Sequence, residues 1–205
     1  MRKFILLTIA LVWGLGYIMG QGNLTPSEVL SRTVTKISNA KGIEANFKIY
    51  NSGYSGGGTM KAMGSKFSVA LPDVEIWYNG KDLYTYNKRT QETTIVEPTP
   101  EELAESNPLA YVTTASKNYV VKYSTVKKEG KYVLDLTPKT KGEIKRITVT
   151  INKTSFSPEK IVVEPSNGNP ITADISAFKT AQSLSASEFE YPKSKYPKVE
   201  IVDLR

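Results

Sequence analysis

Between Ile43 and Lys179 the chain alternates apolar and polar residues with a period of two, and it interrupts that alternation chiefly at turn signals. Ile43, Ala45, Phe47 and Ile49 alternate with Glu44, Asn46, Lys48 and Tyr50, and Met60, Ala62, Phe67, Val69 and Leu71 continue the pattern. Side chains alternate across a strand, so such segments put one apolar face on a core and one polar face in water. Asn79-Gly80 is the strongest hairpin signal, flanked by Glu75–Tyr78 and Asp82–Tyr86. A further short strand, Thr93 to Val96, precedes a break. Strands resume at Tyr119–Val126, Tyr132–Leu136, Ile144–Ile151, Ser157–Glu164 and Ile171–Lys179, joined at Glu129-Gly130, Lys141-Gly142 and Asn167-Gly168-Asn169. Val199–Val202 is a candidate last edge strand. The glycine-rich stretch Gly53–Gly58 lacks the Lys-Ser/Thr ending of a phosphate loop and reads as a hairpin connection.

Two helical elements stand outside this pattern. Val29, Leu30, Val34 and Ile37 recur at helical spacing after Pro26-Ser27-Glu28, which predicts one amphipathic helix over Pro26 to Ser38. The break from Glu97 to Lys117 carries Pro98, Pro100 and Pro108 and two helix starts, at Thr99-Pro100 and Asn107-Pro108. The expected fold is therefore mainly β with helices. About eleven antiparallel strands form a strongly curved sheet or incomplete β-barrel, because a sheet that large cannot stay flat. The N-terminal helix and the helical break cover its concave side.

Composition removes most chemistries. The sequence has no Cys and no His, so disulfides, thiolate or imidazole nucleophiles and the usual zinc ligand sets are excluded. No metal or cofactor is expected. Glu101-Glu102 is a nominal carboxylate pair, but acids in a first helical turn are normally partners of the helix dipole, and no catalytic constellation accompanies them. The formal charge of +7 comes from scattered lysines without an arginine cluster, which argues against nucleic acid; a solvated lysine surface with no function is the first reading, and attraction to anionic lipid is the better-placed use if there is one.

Arg2 and Lys3 precede an uncharged apolar run from Phe4 to Ile18, and Gly20-Gln21-Gly22 supplies small residues for cleavage. Residues 1–22 read as a secretory signal peptide and 23–205 as one domain; an uncleaved anchor is the alternative. Export of a chain without cysteine points to the periplasm.

In order, these features resemble the periplasmic outer-membrane lipoprotein carriers, the LolA-like family. The residues that carry the resemblance are the hairpin Ile76-Trp-Tyr-Asn-Gly-Lys-Asp-Leu-Tyr-Thr-Tyr-Asn87, the insertion at Asn107-Pro108-Leu109, Leu136-Thr-Pro-Lys139 and Phe189-Glu-Tyr-Pro192. The resemblance implies a half-open barrel closed by a lid, whose apolar cavity shields the acyl chains of a lipoprotein between an inner-membrane exporter and an outer-membrane acceptor. It also implies a monomer and no catalysis. The alternative is a lipid-binding or envelope-sensing module on the same fold. On this reading the acyl-chain face comprises Phe47, Ile49, Met60, Phe67, Val69, Leu71 and Ile76, with Ile147, Val149 and Ile151 from the later strands. A solid core under the helix would use the same residues. Leu109, Tyr111 and Val112 dock the lid. The family's latch arginine falls at Met63 and its proline at Gly64, so the latch is absent. Trp77, Tyr78, Tyr84 and Tyr86 cluster at the hairpin, as cross-strand pairs or as a partner surface.

Overall fold

The computed structural model describes residues 23–205; the expected signal peptide, residues 1–22, lies outside the described residues. The first element is helix α1 (Pro26–Ser38). Its start is fixed by a reciprocal cap: Thr25 Oγ1 accepts from the Glu28 N–H, and Glu28 Oε2 accepts from the Thr25 N–H at 2.7 Å. A meander follows: β1 (Ile43–Tyr50), β2 (Ser55–Met63), β3 (Lys66–Ala70), β4 (Val74–Tyr78), β5 (Leu83–Asn87) and β6 (Glu92–Val96). Three short helices, α2 (Pro100–Ser106), α3 (Pro108–Thr113) and α4 (Ala115–Asn118), lead to a second meander. It consists of β7 (Tyr119–Tyr123), β8 (Lys131–Pro138), β9 (Ile144–Asn152), β10 (Pro158–Pro165) and β11 (Ile171–Lys179), and the chain ends with β12 (Glu200–Asp203).

All twelve strands form one open, curved sheet in the order β12-β6-β5-β4-β3-β2-β1-β11-β10-β9-β8-β7. The two meanders meet at the β1–β11 pair, and β12 and β7 are the free edges. Helices α2 to α4 therefore run from the β6 side of the sheet to the opposite edge, over its concave face. One pairing departs from the expected antiparallel pattern. β12 lies parallel to β6, because the segment between β11 and β12 crosses the sheet before the last strand is laid down.

Direct cross-strand partners share a face, so the register assigns the faces. Phe47 opposes Gly58, Met60 opposes Val69, Val69 opposes Ile76 and Ile76 opposes Thr85, all on the concave side. The expected glycine-rich hairpin connection is corrected here: Gly56, Gly57 and Gly58 lie within β2, and the turn is made by residues 51–54. A Cβ at Gly58 would stand 2.3 Å from the Ala70 carbonyl oxygen and 3.0 Å from Phe47 Cζ. Glycine is required because neighbouring backbone and the Phe47 ring occupy that space.

On the convex side, Trp77, Tyr84 and Tyr86 form neither a bare aromatic surface nor an isolated hairpin cluster. The C-terminal segment covers them. Tyr191 stacks on Tyr84 at 5.5 Å and meets Trp77 edge-on at 5.6 Å, and Tyr196 lies 4.3 Å from Tyr86. Thr93, fully buried, donates to the Tyr191 hydroxyl at 3.1 Å. Tyr196 donates to Glu75 at 2.8 Å, and Lys88 pairs with the same carboxylate at 3.0 Å. Burial alone would raise the Glu75 pKa. The bonds from Lys88 and Tyr196, with Lys195 nearby, outweigh it and hold the carboxyl below its ordinary range. Tyr78 points the other way, against Phe67 on the concave face.

Candidate functional site

The concave face is apolar over β1–β4 and β8–β11, turns polar at Thr85 and Thr94 toward the β5–β6 side, and its cover differs between the two halves. Over the second meander, Val29 and Leu30 of α1 with Val112 and Ala115 of the helical crossing pack on Leu134, Leu136, Ile147, Val149 and Ile151. Ile147, Val149 and Ile151 have no exposed surface. The structure therefore places these three expected acyl-chain residues in a solid core beneath α1.

Over the first meander the cover is thin. Ile43, Phe47, Met60, Ala62, Phe67, Val69 and Leu83 form a second cluster, and Leu109 of α3 is the one fully docked helical residue in it. Ile49, Leu71 and Ile76 are half-buried at its margin, with Tyr78, Val96 and Leu103. Seven of the ten expected acyl-chain residues thus gather in the part of the sheet that the helices cover least. Leu109 is 4% exposed and Val112 fully buried, and they belong to different clusters. Tyr111 packs half-buried against the α1 side.

Two spaces flank Leu109. One is an entirely apolar void of about 10 Å³ lined by Ala45, Phe47, Met60, Leu109, Ala173 and Ile175. That is room for about one water, and an apolar void this small stays dry. The other is a cleft of about 440 Å³ open to solvent between the end of α1, the β2–β3 turn and the start of α3. It is lined by Ile37, Ile43, Met63, Lys66, Asn107 and Leu109 among others. The cleft lies within the usual size range of small-molecule sites, about 300–1,000 Å³. Leu109 is common to both linings and separates them.

Met63 is half-buried and shares this cleft with Asn107 at the α2–α3 junction. The latch position therefore borders the same cleft as the helical crossing, but it carries a thioether with no hydrogen to donate. The starts of α2 and α3 are capped by residues of the crossing itself. Asn107 Oδ1 accepts from the Leu109 N–H at 2.9 Å, and Glu102 accepts from the Thr99 N–H at 2.7 Å in a second reciprocal cap. The Glu101 side chain lies outside those described; Glu102 is a capping group. Gly64 has a φ of +61°, which a proline ring, fixed near −65°, cannot adopt. The β2–β3 turn thus differs in backbone conformation from one carrying the family's proline.

The sequence reading missed Leu83, Ala173 and Ile175. Ala173 and Ile175 do alternate within the expected last long strand. Their membership becomes visible only once β11 is known to lie beside β1. Among the described residues, no cluster of three or more acidic side chains could hold a metal, and no helix is long and apolar enough to cross a membrane.

Comparison with known proteins follows this geometry. The family model described as outer membrane lipoprotein carrier protein LolA matches residues 19–167. No curated protein sequence matches the chain. Among solved structures, an uncharacterised conserved protein from Thermus thermophilus is similar at a TM-score of 0.59 and 14% identity, over 86% of this chain and 98% of that one. That likeness is one of fold. A LolA superfamily protein from Nitrosomonas europaea aligns at a TM-score of 0.45 and 13% identity, over 82% and 99% of the two chains. A putative outer membrane lipoprotein-sorting protein domain from Vibrio parahaemolyticus aligns at 0.48 and 11% identity, over 83% and 97%. With its apolar concave face, its helical crossing and a family match over most of its length, this chain belongs to the LolA outer membrane lipoprotein carrier family.

Proposed function

We propose that this protein is a periplasmic carrier that shields lipoprotein acyl chains against the concave face of β1–β5, receiving them from an inner-membrane exporter and releasing them at the outer membrane. The observation that supports this reading is the position of Leu109, a single apolar plug between an open cleft and an apolar face. An acyl chain of about 16 carbons left in water costs on the order of 12 kcal/mol, so a carrier must offer a matching apolar surface. The void behind Leu109 is far too small for such a chain, so entry displaces the plug and with it α2 and the start of α3, while Val112 and Ala115 stay packed under α1. The acyl chain then takes the place of Leu109 against Phe47, Met60 and Val69. Export follows cleavage near Gly22, and the mature monomer begins near Asn23.

The test is the lipid content of the protein recovered from its native host. A covalently acylated protein bound to it, with the chain starting near Asn23 by mass spectrometry, supports the carrier. Free lipid, or none, assigns the fold to lipid binding or envelope sensing, a reading that the missing latch at Met63 favours. Retention of Arg2 and Lys3 in a membrane fraction refutes cleavage.

A further inference from the structure

Helix α1 marks two ends of the molecule. The cleft lies at its C-terminal end, beside Ile37 and Ser38. About 20 Å away, the length of thirteen helical residues, its N-terminal end meets the β7–β8 turn. That turn is both apolar and cationic. Val126 is 56% exposed and Tyr123 is 43% exposed. Lys127 and Lys128 follow, and Lys153, from the β9–β10 turn, stands with its Nζ 5.4 Å from the centre of the Tyr132 ring. With Asn23 these residues line a shallow depression of about 380 Å³. Lys131, at its floor, is neutralised by Glu159 at 2.5 Å. Among the described residues, Lys122, Lys127, Lys128 and Lys153 form no ion pair. The lysines of this depression, Lys127, Lys128, Lys131 and Lys153, stand against Glu129 in the same turn and Glu159 beside it, so the patch keeps a net positive charge.

An exposed valine and tyrosine ringed by unpaired lysines match the chemistry of a bilayer surface: apolar groups enter the headgroup layer while lysines meet anionic heads. The chain's own order points to the same occupant. Asn23 lines the depression, and the uncharged apolar run from Phe4 to Ile18 lies just before it in the sequence. Until cleavage, chain connectivity keeps Asn23, and with it this depression, next to that run.

We infer that the β7–β8 turn is a docking surface for an anionic phospholipid bilayer, with Val126 entering the headgroup region and Lys127, Lys128 and Lys153 pairing with lipid phosphates. Docking there leaves the Leu109 cleft at the other end of α1 unobstructed. The inference does not depend on what the concave face carries.

The test uses the full chain as recovered from the expressing cell, with vesicles of phosphatidylcholine alone or mixed with phosphatidylglycerol. Sedimentation is expected to show binding that rises with phosphatidylglycerol and falls with added salt. Each surface lysine contributes about a fivefold change in partitioning, so Lys127→Ala with Lys128→Ala is expected to weaken binding to anionic vesicles about 30-fold. Val126→Asp is also expected to weaken it, with an unchanged melting temperature because the side chain is exposed. Equal binding to neutral and anionic vesicles overturns the inference. So does undiminished binding of either variant, which would leave the patch to a protein partner. Acyl-probe binding, read in parallel, separates the two proposals. Probe binding without charge-dependent vesicle binding sinks this inference alone, and the reverse sinks the carrier reading alone.

Discussion

Replacing Leu109 with alanine isolates the step on which a carrier depends. Leu109 is 4% exposed and, among the described residues, supplies the only fully buried helical contact in the cluster over β1–β5. Burying a leucine side chain contributes about 1.5–3 kcal/mol, and truncating one in a core costs about 2–5 kcal/mol. The lower end applies here, since the site already contains a void and borders an open cleft, so about 2 kcal/mol of docking is lost. Helices of seven and six residues have no independent stability, so the lost contact shifts α2 and the start of α3 toward their undocked state, while Val112 and Ala115 stay packed under α1. At 1.4 kcal/mol per decade, 2 kcal/mol is about 30-fold in that equilibrium. Hydrogen exchange across α2 and the start of α3, residues 100–109, is expected to accelerate by about that factor, while amides around Val112, Leu134 and Val149 keep their protection. If entry requires undocking, a fluorescent acyl probe binds the variant more tightly, by up to about 30-fold, because the opening cost has been removed. Uniformly faster exchange through the sheet, with probe affinity unchanged or weaker, would show that Leu109 is an ordinary core residue and the crossing a fixed wall.

Three further outcomes are expected. Gly58→Ala forces a Cβ against the Ala70 carbonyl oxygen and the Phe47 ring, and is expected to cost about 1–3 kcal/mol in denaturant unfolding. Tyr191→Phe leaves the buried Thr93 hydroxyl without its partner, with an expected loss of about 1–3 kcal/mol in the same assay. Glu75 has a folded pKa below its ordinary value, so its contribution is complete above the unfolded carboxylate value of about 4.3 and is lost as pH falls through the folded one. Glu75→Gln is therefore expected to be less stable than the unaltered protein at neutral pH, and thermal melts of the two should converge in acid.

The alternation made the faces legible. Phe47, Met60, Val69 and Ile76 fall on one side because strand pairing preserves the period of two, and the register agrees with it residue by residue. The placement of α1 and of the crossing was equally readable, since capping and proline signals act locally. What alternation cannot encode is which stretch of a sheet a helix covers. Val149 and Val69 carry the same local pattern, yet one lies sealed under α1 and the other beneath Leu109. Nor did Tyr191 and Tyr196 announce themselves as the cover of Trp77 and Tyr86, because that contact joins segments that are distant in sequence. Glycine marks both a turn and a close approach, and at Gly58 only the positions of the Ala70 carbonyl and the Phe47 ring decide between them.

The seam between β1 and β11 sets the order in which the molecule can be completed during synthesis. Tyr50 bonds to Asp174 across 124 residues of chain. Until β11 leaves the ribosome, β1 presents a bare edge of unpaired amides and carbonyls, with Phe47 and Ile49 alongside it. An uncovered edge of this kind recruits other chains, and long-range pairing of this kind closes slowly. The family match ends at residue 167, before β11 begins. A chain cut there is expected to keep the matched segment and lose the strand that guards it, and so to aggregate.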